Sequence, residues 1–168
     1  VTGFPSTLPL QLCLVLLLAL VSPAFAQTER APMSETQLRS LVSFADDDTL
    51  KYAVCKKASY PTCSYIWGVP DDDDALRVKL GGKPEGSKLM TIFAQANSAT
   101  EFERVVAVYP DAESVEGLGV RSVWSAKRHQ LSLIMADNLV IHVNIDAAGT
   151  ADPKATAIGV ANFLLATT

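Results

Sequence analysis

Gln130-Leu-Ser-Leu-Ile-Met-Ala-Asp-Asn-Leu-Val-Ile-His-Val-Asn-Ile-Asp146 decides the fold class. Within it, Leu139, Ile141, Val143 and Ile145 alternate with Val140, His142, Asn144 and Asp146. That period of two belongs to a strand with one apolar face. Residues 130–135 form a second apolar stretch, joined to the first by Ala136, Asp137 and Asn138. So short a connection makes the two strands antiparallel neighbours. A third strand, over residues 120–125, precedes them across another hairpin-length link at residues 126–129. Three strands with local connections imply an antiparallel sheet, and hence an α+β fold.

Working outward, Asp152-Pro153 opens a terminal helix, with proline at its favoured first position. Ile158, Ala161, Phe163, Leu164 and Leu165 give that helix a broad apolar face. On the other side, Asn97 or Ser98 caps a helix over residues 99–109, with Phe102, Val105, Val106 and Tyr109 inward, and Pro110 stops it. Residues 88–96 and 63–67 are mostly β-branched, aromatic or apolar and read as strands. Leu76, Val78 and Leu80 alternate, so residues 75–80 read as another. Leu50, Ala53 and Val54 recur at helical spacing, so residues 49–57 read as a short helix. Ser34-x-x-Gln37 is a capping box ahead of Leu38, Leu41, Val42 and Ala45. The expected architecture is an antiparallel sheet of about six strands with helices packed on it, in the order α-βββ-α-βββ-α. A single domain spans residues 34–168.

The chain begins differently. Residues 8–21 are an almost unbroken apolar run, and Ala24-Phe25-Ala26 follows as a small-x-small cleavage site. Residues 1–26 therefore read as a signal peptide and 27–33 as a flexible leader. The run of about 14 residues is short of the roughly 20 that span a bilayer. Cys13 lies within it and not at the cleavage point, so no lipid anchor is expected. Export would leave Cys55 and Cys63 as an even pair in an oxidising compartment, which reads as a disulfide. Closing that short loop stabilises by about 2.5 kcal/mol on the chain-entropy estimate.

Lys and Arg number 14 against 18 Asp and Glu, for a net charge of −4. That balance argues against nucleic acid, which selects clustered cations. It also argues against attachment to anionic lipid, and no membrane contact is expected after cleavage. Asp71-Asp-Asp-Asp74 lacks the spacing and glycine of a calcium loop and reads as solvated. Gly81-Gly-Lys-Pro-Glu-Gly86-Ser87-Lys88 has the wrong order for a phosphate loop and leads into a strand. No metal site and no cofactor are expected, and no nucleophilic serine motif is present.

The candidate ligand-binding residues are Trp67, Trp124, His142, Asn144 and Asp146. The last three project from one sheet face at i, i+2 and i+4, where they could hold a metal or form an acid–base pair. The same spacing would serve the wet face of an antiparallel sheet. Trp67 and Trp124, with Tyr60 and Tyr65, could line a pocket or fill the core.

Thr62-Cys-Ser-Tyr-Ile-Trp67, Val115-Glu-Gly-Leu-Gly119 with Ser122-Val-Trp124, and the hairpin of residues 131–145 before an alanine-rich final helix carry a resemblance. Together they resemble small exported bacterial domains and lipoproteins of unknown function, placed near the PsbP-like α/β/α sandwich. The resemblance implies that fold and a bacterial source, and no common activity.

These readings point to a secreted or periplasmic domain that binds an envelope protein or small ligand, with catalysis left open and non-catalytic binding favoured. One alternative is a small hydrolase or metal-dependent enzyme using His142 and Asp146. Another is a secreted inhibitor that plugs a partner enzyme through residues 68–74.

Overall fold

The computed structural model describes residues 31–167. Its elements are α1 (Glu35–Leu41), β1 (Thr49–Lys56), β2 (Thr62–Gly68), α2 (Asp74–Lys79), β3 (Ser87–Gln95), α3 (Ala99–Val106), β4 (Glu113–Ser114), β5 (Arg121–Ser125), β6 (Gln130–Ile134), β7 (Leu139–Asp146) and α4 (Pro153–Ala166). The strands form one antiparallel sheet in the order β1-β2-β3-β7-β6-β5-β4. Two meanders, β1 to β3 and β4 to β7, are joined by α3. The second meander returns inward, so β7 lands beside β3. Those two strands pair over their full length, from Lys88 opposite Asp146 to Gln95 opposite Leu139.

One face of the sheet is mainly apolar, with Thr91 of β3 as a buried polar exception. Tyr65, Trp67, Leu89, Phe93, Leu131, Leu133, Ile141, Val143 and Ile145 are all buried there. They pack against Leu38 and Val42 from the α1 segment and Ala157, Val160, Ala161 and Leu164 of α4. Burying each large aliphatic side chain contributes about 1.5–3 kcal/mol. Helix ends are fixed by local chemistry. The Ser34–Gln37 capping box is present, Ser98 Oγ accepts from the Glu101 N–H, and Asp152 caps Ala155. The opposite face carries α3, whose Phe102 and Val106 bury Val123, Ile134 and Val140.

The α+β class holds, but the sheet has seven strands, where about six were expected, and the order is α-ββ-α-β-α-ββββ-α. Three differences account for this. Residues 49–57, expected as a helix, are strand β1. A bulge between Leu50 and Tyr52 inserts Lys51 into the ladder. The extra residue puts Leu50, Ala53 and Cys55 against the same core, so a strand acquires a three-residue step that mimics helical spacing. Residues 75–80, expected as a strand, lie largely within helix α2. Here Ala, Leu, Arg and Lys favour helix, and aspartates precede the first turn where the helix dipole welcomes negative charge. None of α2's residues is buried, so its alternating apolar pattern marks no core face. The third difference is β4, two exposed residues held against β5, which no period could reveal.

Cys55 and Cys63 are joined by a disulfide between opposed positions of β1 and β2. The expected signal peptide (residues 1–26) lies outside the described residues. Met33, at the end of the expected leader, is buried, and its N–H donates to the Tyr65 hydroxyl at 3.1 Å. No helix among the described residues is long and apolar enough to cross a membrane.

Candidate functional site

His142 stands on the face that carries α3, midway along β7 and half-buried. Its register partners are Ile92 on β3 and Ser132 on β6. Ser132 Oγ lies 2.8 Å from His142 Nδ1, and Gln130 Nε2 lies 3.2 Å from the same nitrogen. The Gln130 amide also donates to the Tyr109 hydroxyl at 2.9 Å and to Ser132 Oγ at 3.0 Å. The two Gln130 amide protons serve Tyr109 and Ser132, which leaves the Ser132 hydroxyl proton for Nδ1. On that network the ring proton of the neutral imidazole is assigned to Nε2. Burial disfavours the charged ring and holds its pKa below the ordinary histidine value.

His142 also lines a concavity of about 340 Å³ between the sheet and α3. Its floor is Ile92, Ala94 and Val140, its wall Phe102 and Val105, and His142 closes one end. Tyr60, Gln95, Ala96 and Glu101 complete its lining. Glu101 Oε2 accepts from the Asn97 backbone N–H at 2.7 Å and side-chain amide at 3.0 Å. That carboxylate thus belongs to the N-terminal cap of α3 while facing the groove.

The five expected site residues do not converge. Trp67 and Trp124 lie on the other face, inside the core beneath α1 and α4. Trp67 stacks on Phe44 with ring centroids 5.2 Å apart, and Arg39 covers Phe44 from outside. Asn144 donates to the Arg128 carbonyl at 2.7 Å and ties down the β5–β6 turn. Asp146 is exposed at the end of β7 and borders a different depression, with Phe44, Gly68, Gly86 and Ser87. Four residues along a strand separate His142 and Asp146 by about 13 Å, too far for a shared proton. Only His142 of the five lines the groove.

The residues missed were Gln130, Ser132 and Tyr109. Hairpin register was the available signal, because the short turn after Met135 places Ser132 opposite His142. Ser132 is fully buried, so its hydroxyl orients the imidazole and has no path to a substrate. Among the described residues, no group of three or more His, Cys, Asp or Glu is placed to hold a metal ion. The arrangement offers an apolar trough, one oriented N–H donor at its end and one carboxylate at its rim. No protein-family model, curated protein or solved structure matches this chain.

Proposed function

We propose that this chain is an exported, non-catalytic domain of the cell envelope that binds a small apolar ligand in the groove between α3 and the β3–β7 pair. The carrying observation is the groove itself: an apolar floor and wall beside a histidine whose Nδ1 is met by two neighbouring side chains, Ser132 and Gln130. Ligand sites combine that mixture, mostly apolar lining with few placed polar groups. The apolar N-terminal run with its small-x-small site supports export. The Cys55–Cys63 disulfide is compatible with an oxidising compartment. Nuclear magnetic resonance titration with uncharged aromatic fragments tests the site. Binding should shift the amides of Ala94, Val140 and His142 together, and Ala94→Trp, which fills the trough, should abolish the response. Shifts confined to other surfaces would refute the groove as the binding site.

A second reading is favoured by a separate observation. Leu76 is 55 % exposed and Leu80 79 % exposed, one helical turn apart beside the loop of residues 68–74. The apolar side chains of α2 thus stand in water while polar contacts hold the helix in place. Single exposed side chains are ordinary, but adjacent ones mark contact surfaces. This supports a secreted inhibitor that engages a partner enzyme through that loop and α2. Inhibition assays against purified envelope peptidases, with Leu76→Ser/Leu80→Ser as the comparison, decide it. Inhibition unchanged in the double variant, or absent throughout, would eliminate this reading.

A further inference from the structure

Given that the groove beside His142 is a binding site, as proposed above, its polar groups also specify what it binds. We infer that the ligand is an uncharged aryl or acyl carbonyl compound whose apolar body lies along Ile92, Ala94 and Val140 and whose carbonyl oxygen accepts from His142 Nε2–H. Three observations converge on this chemistry.

The first is the direction of the imidazole. Nδ1 receives the Ser132 hydroxyl at 2.8 Å, so its lone pair is occupied from the β6 side. Gln130 and Tyr109 complete that network. What the ring offers elsewhere is a donor, and a donor at the end of an apolar trough selects an acceptor. A ligand lacking one would leave that N–H desolvated and unpaired, at a net cost near one hydrogen bond.

The second is charge. Among the described residues, no Lys or Arg lines the groove, and its carboxylate is Glu101. An anionic ligand would lose its hydration beside a like charge with no cation to replace it. An ammonium ion would meet the imidazole N–H with a donor of its own and leave that N–H unpaired. A neutral acceptor avoids both conflicts.

The third is size. From Ile92, opposite His142, to Gln95, β3 runs about 10 Å at 3.3 Å per residue. That length holds one aromatic ring or a short branched chain together with a carbonyl group. Phe102 and Val105 supply an apolar wall for its flank.

Three probes of nearly equal shape separate the possibilities: acetophenone, ethylbenzene and benzoate. Each is titrated into the full disulfide-bonded domain while the amides of Ala94, Val140 and His142 are followed. Acetophenone should bind about fivefold more tightly than ethylbenzene, the worth of one net hydrogen bond. Benzoate should bind more weakly than either. His142→Leu should bring acetophenone down to the affinity of ethylbenzene, and His142→Gln, which keeps an N–H donor, should restore part of the margin. Benzoate binding as tightly as acetophenone would overturn the inference. So would an acetophenone margin that survives in a folded His142→Leu protein. Equal binding of all three would remove the ligand class and leave the groove as a site, whereas no response from any probe would remove both. Should His142→Leu fail to fold, the ranking of probes on the unaltered protein and on His142→Gln still decides.

Discussion

His142 couples the groove to stability through its proton. Burial lowers its pKa in the folded chain, and the unfolded chain returns it to the ordinary value near 6.5. The unfolded state therefore binds the proton more readily. Stability from this residue is full above about pH 7 and is lost as pH falls below about 6.5. Denaturant unfolding between pH 5 and 8 should show that slope, and His142→Leu should flatten it. The depressed carboxyls lie outside that window. Asp111 is held low chiefly by the Lys127 N–H, so its contribution is lost only as pH falls below its ordinary value of 3.8. Backbone geometry decides a second position. Gly119 has φ of 60°, and an added Cβ would meet the Ile134 carbonyl oxygen at 2.5 Å. Gly119→Ala should cost about 2–3 kcal/mol, combining left-handed backbone strain with that collision, as measured by the shift in denaturation midpoint.

At the scale of elements, α2 shows how a helix without a buried face is held. Lys51 Nζ lies 2.6 Å from Asp74 Oδ2, with side chains only 7 % and 14 % exposed, and also donates to the Val69 carbonyl at 3.0 Å. The hydrogen bond from Lys51 is the main reason that the Asp74 carboxyl titrates below its ordinary range. Arg77 adds longer contacts to Asp71, Asp74 and Glu85. The β1 bulge that places Lys51 is therefore what docks α2. Breaking such a pair leaves a sheltered charge without its counterion, while removing both charges does not. Lys51→Met should destabilise the domain and loosen α2, read as faster amide exchange at Val78 and Leu80. Lys51→Met/Asp74→Leu should recover most of the loss. An unchanged exchange rate in the single variant would show that α2 is held by other means.

At the scale of the whole molecule, two meanders share one apolar core, and the disulfide closes the outer hairpin of the first. Cys55→Ser/Cys63→Ser should lose about 2.5 kcal/mol by constraining the unfolded chain less, with the β3–β7 centre and its chemical shifts intact. Much of this organisation was legible residue by residue. Alternation from Leu139 to Ile145 set a strand and its apolar face, because side chains leave a strand on alternate sides wherever the strand sits. Ser34, Ser98 and Asp152 marked helix starts, because capping is settled within one turn of chain. Those signals are local, so they survive without knowledge of neighbours. Lys51 and Leu76 misled for the complementary reason: a bulge is defined only against a partner strand, and α2 answers to propensity and to an ion pair, with no core to impose a period. Tertiary structure alone decided that β7 lies against β3, that α3 covers only part of its face, and that His142 thereby closes a groove while Trp67 and Trp124 fill the opposite core. Those outcomes depend on how distant segments share a sheet, and no window of sequence contains both partners.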